Sequence, residues 1–490
     1  MPNLLFLFTD EQRADTLGAY GNPKIQMPNL DALASEGTVF ENTYVTQPVC
    51  TPSRSSLLTG LYPHTNGCTA NNIPLPLETP CFPEMLQGGG HATGYHGKWH
   101  LGDEIFQQHG FDDWISIEDG YRKYYRPGRD EDACSTYHSF LNEAGIEPEN
   151  EGYYGRGQAA RLPEELGKPA YLAREATRFI RDHHQEPFVL FVNFLEPHMP
   201  FFGPRDGQYD PDSISLPNNF DSPPTDDQPL KTRLFAKSYH ERGHGGFQLR
   251  TESDWRKLIS NYWGLCSLVD THVGTILGSL RKYGVYDDTI IVFTSDHGDM
   301  MGSHRLLAKC VMFEEAVRVP MIVKLPGRSE GMRVKSPVSQ IDLLPTLLDA
   351  MGETQPPHLQ GKSLMPLMEG EDFDTGDVFI EWNGRDTGLA WSKLVAGQES
   401  VGLPQDIPED RARAAISDSI RTVVTPDGWK FNLSTLGELE LYNLNEDPFE
   451  KSNLAGRDDL RPLMDELAGR IGEWQRETSD ATRLPRSLFS

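Results

Sequence analysis

Cysteine is scarce in this chain. The six cysteines among 490 residues stand at positions 50, 68, 81, 134, 266 and 310, with no Cys-x-x-Cys pair. That scatter excludes a dense disulfide framework and predicts ordinary reduced thiols at all but one of them. Positive charge is also short, with 45 Lys and Arg against 72 Asp and Glu and a net charge of −27. Such a balance argues against nucleic acid or an anionic membrane as partner. An anionic substrate would have to be drawn in by a local cluster of cations. No apolar run approaches membrane-spanning length, and there is neither an internal repeat nor a low-complexity segment. The opening residues Met1 to Asp10 lack a basic leader and meet acids after a very short apolar run. They read as a buried strand, so the expected compartment is the cytoplasm.

The length suits one large domain with a smaller one attached, here 1–370 and 371–490. In the first, Leu4 to Phe8, Phe188 to Phe194 and Thr289 to Phe293 are continuous apolar runs, as strands buried on both faces require. Each ends in polar residues: Asp10-Glu11, Glu196-Pro197-His198 and Asp296-His297-Gly298. Ligands of open α/β sheets sit at that carboxyl edge. Val319 to Val323 reads as a fourth strand. Helices are expected from Met27, over Tyr171 to His183, over Asp254 to Tyr283 and over Ile341 to Met351. The stretches 103–166 and 203–246 show no sustained period and read as long loops or small excursions walling the site. Beyond about residue 370 the pattern changes to strands at Ser419–Thr425, Trp429–Leu433 and Glu440–Leu444, with a Pro426-Asp427-Gly428 turn, and then a helix over Asp458 to Glu477. The expected architecture is α/β: a large, mostly parallel sheet sandwiched by helices, with a smaller antiparallel sheet and helix at the C-terminus.

The stretch that carries chemistry is Val49-Cys50-Thr51-Pro52-Ser53-Arg54-Ser55-Ser56-Leu57-Leu58-Thr59-Gly60. It places a cysteine just ahead of a short helix, with Pro52 suited to the first turn and Gly60 to the stop. The first-turn N–H groups, the positive end of the helix dipole and Arg54 would together form an anion site around Cys50. A buried cysteine and a solvated arginine would be the bland reading of the same residues. Gly97-Lys98-Trp99-His100 adds a lysine and a histidine two apart, on one face of an extended stretch. The acids at 10, 11 and 296 with His297 converge on one sheet edge, where a divalent cation would offset their repulsion.

Cys-x-Pro-Ser-Arg followed by Ser-x-Leu-x-Thr-Gly resembles the signature of the type I sulfatases, of the alkaline-phosphatase-like superfamily, whose cysteine is oxidised to formylglycine. The likeness spans nearly the whole chain and implies the fold just described. It implies that Asp10, Glu11, Asp296 and His297, with the formylglycine from Cys50, hold one divalent metal ion. Glu11 stands where Asp is common, and His297 where many arylsulfatases have Asn. Oxygen-rich ligation favours calcium, with manganese, magnesium or zinc compatible with the imidazole. The resemblance further implies that Lys98 and Lys309 bind the sulfate and that His100 hydrogen-bonds the formylglycine and accepts its proton. It implies His198 as general acid, and Arg54 among the groups that hold developing charge. The implied reaction is hydrolysis of a small, aryl or saccharide sulfate ester: one hydroxyl of a hydrated formylglycine attacks sulfur, and the second releases sulfate.

Three alternatives remain: a phosphonate monoester or phosphodiester hydrolase with the same site, a two-zinc alkaline phosphatase, which Cys50 disfavours, and an anion-binding protein with unconverted Cys50. The implied partners are the anionic ester and a formylglycine-generating enzyme. Tyr121 to Arg126 and the region of Trp382, Arg385 and Trp391 either line a leaving-group pocket or form surface loops. Oligomeric state is left open.

Overall fold

The structure is a computed structural model describing residues 1–87, 90–149, 152–385 and 402–485. Trp391 lies outside the described residues. The main sheet runs β4-β3-β5-β1-β6-β7-β2-β8, with β9 also paired to β2. Here β1 is Asn3–Asp10, β2 Thr38–Tyr44, β3 Ala92–Gly97, β4 Asp113–Ser116 and β5 Phe188–Pro197. The remaining strands are β6 Thr289–Ser295, β7 Arg318–Lys324, β8 Met332–Val334 and β9 Val338–Ser339. All neighbours pair in parallel except β7, which runs against both β6 and β2.

Strand β1 shows why its sequence reads as one apolar run. Leu5 and Leu7 enter a core shared with the helices Pro28–Glu36, Lys168–His183 and Glu252–Lys282. Leu4, Phe6 and Phe8 enter the opposite core, with the helix Leu343–Ala350. Alternate side chains therefore find apolar partners on both faces.

The expected helices are all present within a few residues of their expected bounds. The stretch 203–246, read as loop or small excursion, contains the helix Leu230–Arg242. Leu230, Leu234 and Phe235 bury its narrow apolar side against Ile380 and Trp382 of the second sheet. The stretch 103–166 likewise contains β4 and the helices Thr136–Glu143 and Arg156–Ala159.

The second sheet is antiparallel, in the order β10 (Val378–Asn383), β11 (Ser419–Val424), β12 (Trp429–Ser434) and β13 (Leu439–Asn443), and the helix Arg461–Thr478 covers one face. Its first strand and the helix Glu409–Ile416 escaped the sequence reading. It bears directly on the segment before Cys50: Glu381 N–H donates to Thr46 C=O at 2.8 Å, and Asn383 Nδ2 to Gln47 Oε1 at 2.8 Å. None of the six cysteines is in a disulfide. No helix among the described residues is long and apolar enough to cross a membrane.

Candidate active site

Four adjacent parallel strands, β3, β5, β1 and β6, deliver their carboxyl ends to one place, bringing Lys98, His198, Asp10-Glu11 and Asp296-His297 together. Strand β2 ends on the same edge and leads into the helix Cys50–Thr59, which Gly60 closes in a left-handed conformation. The turn out of β3 depends on Gly97, at φ +121°, where a β-carbon would lie 1.9 Å from Asn193 C=O. Any other residue would push Lys98 away from the site.

Cys50 Sγ lies at the centre, 3.3 Å from His297 Nε2, 3.3 Å from Lys309 Nζ and 3.6 Å from Asp10 Oδ1. Arg54 orders the acids. Its Nε donates to Asp296 Oδ2 at 2.8 Å, its Nη2 to Asp10 Oδ2 at 3.0 Å and its Nη1 to Lys98 C=O at 2.7 Å. The second carboxylate oxygens are thereby turned inward, with His297 Nε2 at 3.7 Å from Asp10 Oδ1 and 3.6 Å from Asp296 Oδ1. Asp10, Cys50, Asp296 and His297 thus form one buried group of candidate metal ligands. Neighbouring ligands around one cation stand about 3–4 Å apart when bond lengths are about 2.0–2.6 Å, so this donor set fits a single divalent ion.

Glu11 departs from its expected place. Its backbone is left-handed, at φ +67°, and held there by Tyr262 Oη donating to its C=O at 2.5 Å and by its own N–H on Asp296 Oδ1 at 3.2 Å. The carboxylate consequently swings to Lys309 Nζ and, at 3.2 Å, to His198 Nε2. It groups with Asp10 and His198 rather than with Asp296 and His297, and its Oε2 has no partner.

The anion site also differs from the sequence reading. Thr51 N–H donates to Asn71 Oδ1, Ser53 N–H to Val49 C=O, and Pro52 has none. Most first-turn donors are therefore spent inside the protein, as is the guanidinium of Arg54. Positive charge at the centre comes from Lys98, which ion-pairs with Asp10, and from Lys309. His297 apart, three cations, Arg54, Lys98 and Lys309, match three carboxylates, Asp10, Glu11 and Asp296. A bound divalent ion would leave the centre with a positive excess, despite the acidity of the whole chain.

Burial and these charges set the protonation states. Burial favours a protonated Asp10, but Lys98, His198 and Arg54 outweigh it and hold the carboxyl well below its ordinary range. Burial, with Lys98 and Arg54 nearby, pushes the His100 imidazolium well down; burial and Lys309 do the same to His198. Both rings are neutral at neutral pH. Burial would lower His297, yet Asp296 reverses this and pushes it up to about 9. His100 sits with Nε2 3.1 Å from Asn72 Oδ1, Nδ1 unpartnered and its ring against Tyr121.

The family model described as Sulfatase matches residues 2–353. The chain belongs to the sulfatase family. This sulfatase-family chain is 28% identical to the ulvan-active sulfatase of Formosa agariphila, over 98% of the chain and 82% of that protein. It is 26% identical to the N-acetylglucosamine-6-O-sulfatase of Bacteroides thetaiotaomicron, over 98% of the chain and 87% of that protein. Its fold matches the solved phosphonate monoester hydrolase SpPMH of Silicibacter pomeroyi with a TM-score of 0.77, at 22% identity and with all of both chains covered. The architecture is that of the alkaline-phosphatase-like superfamily.

Two residues near the site, Tyr262 and Arg156, were not found from sequence. Tyr262 comes from the helix Glu252–Lys282, with nothing to distinguish it from a core aromatic. Arg156 lies in the aperiodic stretch, and its Nη1 is 3.4 Å from His198 Nδ1. Neither belongs to a motif. Of the suggested pocket residues, Tyr121 borders His100, whereas Trp382 is fully buried with Lys231 over its ring at 4.3 Å and is unavailable to a ligand. Arg385 is exposed. Arg126 and Arg129 are turned to Asp103.

Proposed function

We propose that this chain hydrolyses a sulfate ester to an alcohol and inorganic sulfate, with the oxidised side chain of Cys50 as nucleophile. The observation that carries the reading is the position of Cys50 Sγ, which stands where the formylglycine oxygens would be, against His297, Lys309 and Asp10. A hydrated formylglycine supplies one hydroxyl to attack sulfur and a second to release sulfate. A divalent ion held by Asp10, Asp296, His297 and residue 50 supplies a fixed positive charge for the nucleophile and the sulfate oxygens; calcium is the choice the carboxylates favour. Glu11 sets Lys309 in place through Oε1, and its buried Oε2 has no hydrogen-bond partner.

The remaining residues act in place. Lys98 and Lys309 hold negative charge as it moves onto the sulfate oxygens, an effect strengthened by burial. His198, on the Glu11 side, takes up a proton when the negative charge of the bound ester offsets Lys309 and delivers it to the departing alkoxide, and neutral His100 takes one from the hydroxyl that expels sulfate. The described part of residues 371–490 forms a C-terminal unit whose first strand braces the segment entering the Cys50 helix.

A matched pair of aryl esters, one sulfate and one methylphosphonate with the same leaving group, tests the reading. The sulfate is expected to show the higher kcat/KM. A higher value for the phosphonate would move the assignment to phosphonate monoester hydrolysis.

A further inference from the structure

We propose that Arg156 reads a second negative charge, carried on the leaving group of the substrate. The inference deepens the sulfate ester reading and rests on it.

Among the cations around Cys50, the inner three already face acids: Arg54 faces Asp10 and Asp296, Lys98 faces Asp10, and Lys309 faces Glu11. Side-chain exposure separates them from Arg156. Arg54 and Lys98 are fully buried and Lys309 is 11% exposed, whereas Arg156 is 28% exposed. Arg156 is thus the site cation most open to a ligand. Its orientation is fixed from behind, by Nε on Glu118 Oε2 at 2.7 Å and by Nη2 on Tyr121 Oη at 2.8 Å. Its Nη1 edge reaches to within 3.4 Å of His198 Nδ1, and its field is felt at Asp10, Lys98 and His100.

The charges around it do not cancel. Glu118 is shared between Arg156 and Lys168, so two cations meet one carboxylate. Of the other acids whose charge reaches them, Asp10 is already held by Arg54 and Lys98, and Glu196 has its carboxyl pushed by burial up to about 7, so that it offsets only part of the excess at neutral pH. A planar guanidinium with such an excess, beside the ring of Tyr121 and next to the proton donor assigned to the leaving group, suits a carboxylate or sulfate on a ring-bearing alcohol. An uncharged leaving group would bury the same edge without compensation.

The test uses the aldehyde-bearing, metal-loaded enzyme with two aryl sulfates of equal leaving-group acidity, one carrying a ring carboxylate and the other the corresponding carboxamide. The wild-type enzyme is expected to favour the carboxylate ester in kcat/KM. Arg156→Gln is expected to lose about 10- to 100-fold on that ester, mostly in KM, with a much smaller loss on the carboxamide. Arg156→Lys, which keeps the charge, is expected to retain part of the preference and shows whether a loss follows charge rather than misfolding. No preference in the wild type, or equal losses on both esters in Arg156→Gln, overturns the proposal. If the wild type cleaves neither ester, the sulfatase reading beneath it falls as well.

Discussion

Arg54 and Asp296 meet Nε to Oδ2 at 2.8 Å with neither side chain exposed to solvent. The same guanidinium grips Asp10, so a single residue, one turn along the helix from Cys50, holds both acids that face the nucleophile. Replacing it with methionine leaves two buried carboxylates facing one another. The expected cost is about 3–5 kcal/mol of folding stability. Urea unfolding measures it, and added divalent cation is expected to restore part of the loss.

Lys309 touches both Glu11 and Cys50 from a segment with no regular structure. Lys309→Ala is expected to lower kcat on an aryl sulfate by about 10²–10³, the scale for removing one preorganised charge donor. Steady-state kinetics at saturating metal checks this.

The sequence displayed the part of this site that lies on strands buried on both faces. In β1, β5 and β6 the apolar runs end next to Asp10, His198 and Asp296, so pattern and chemistry coincide. Strand β3 was hidden for a physical reason: at Gly94 a β-carbon would come within 2.9 Å of Leu190 and Phe179, and at Gly97 it would strike Asn193. The glycines that let the strand pack also erase its apolar signature. Spacing placed Arg54 beside Cys50 but carried no information on which way its guanidinium turns. The swing of Glu11 follows from a left-handed backbone that no residue type announced.

Acid stability follows from Glu118. Burial would raise its carboxyl, but Arg156 and Lys168 more than offset this and lower it to about 2. An unfolded glutamate titrates at about 4.3. The stabilisation is therefore complete above about pH 4.3 and is lost as pH falls toward about 2, because in that window the unfolded chain binds the proton and the folded one does not. Its size is on the order of 2–3 kcal/mol. The difference in unfolding free energy between wild type and Glu118→Gln is expected to be largest at neutral pH and to shrink at pH 3.

Removal of metal is expected to act on both stability and turnover. Elemental analysis of the purified chain is expected to find one divalent ion per molecule, and dialysis against a chelator to lower the unfolding temperature and abolish ester hydrolysis. Calcium is expected to restore both. In Asp296→Asn, which removes a charge the ion requires, calcium is expected to leave the unfolding temperature unchanged.

The most direct measurement is the mass of the peptide spanning Cys50, taken from protein produced with and without a formylglycine-generating enzyme, alongside aryl sulfate turnover of the same samples. The account predicts an aldehyde at position 50 and turnover that rises in proportion to its fraction, with none in Cys50→Ala. Full turnover from a sample whose Cys50 is entirely a thiol would contradict it.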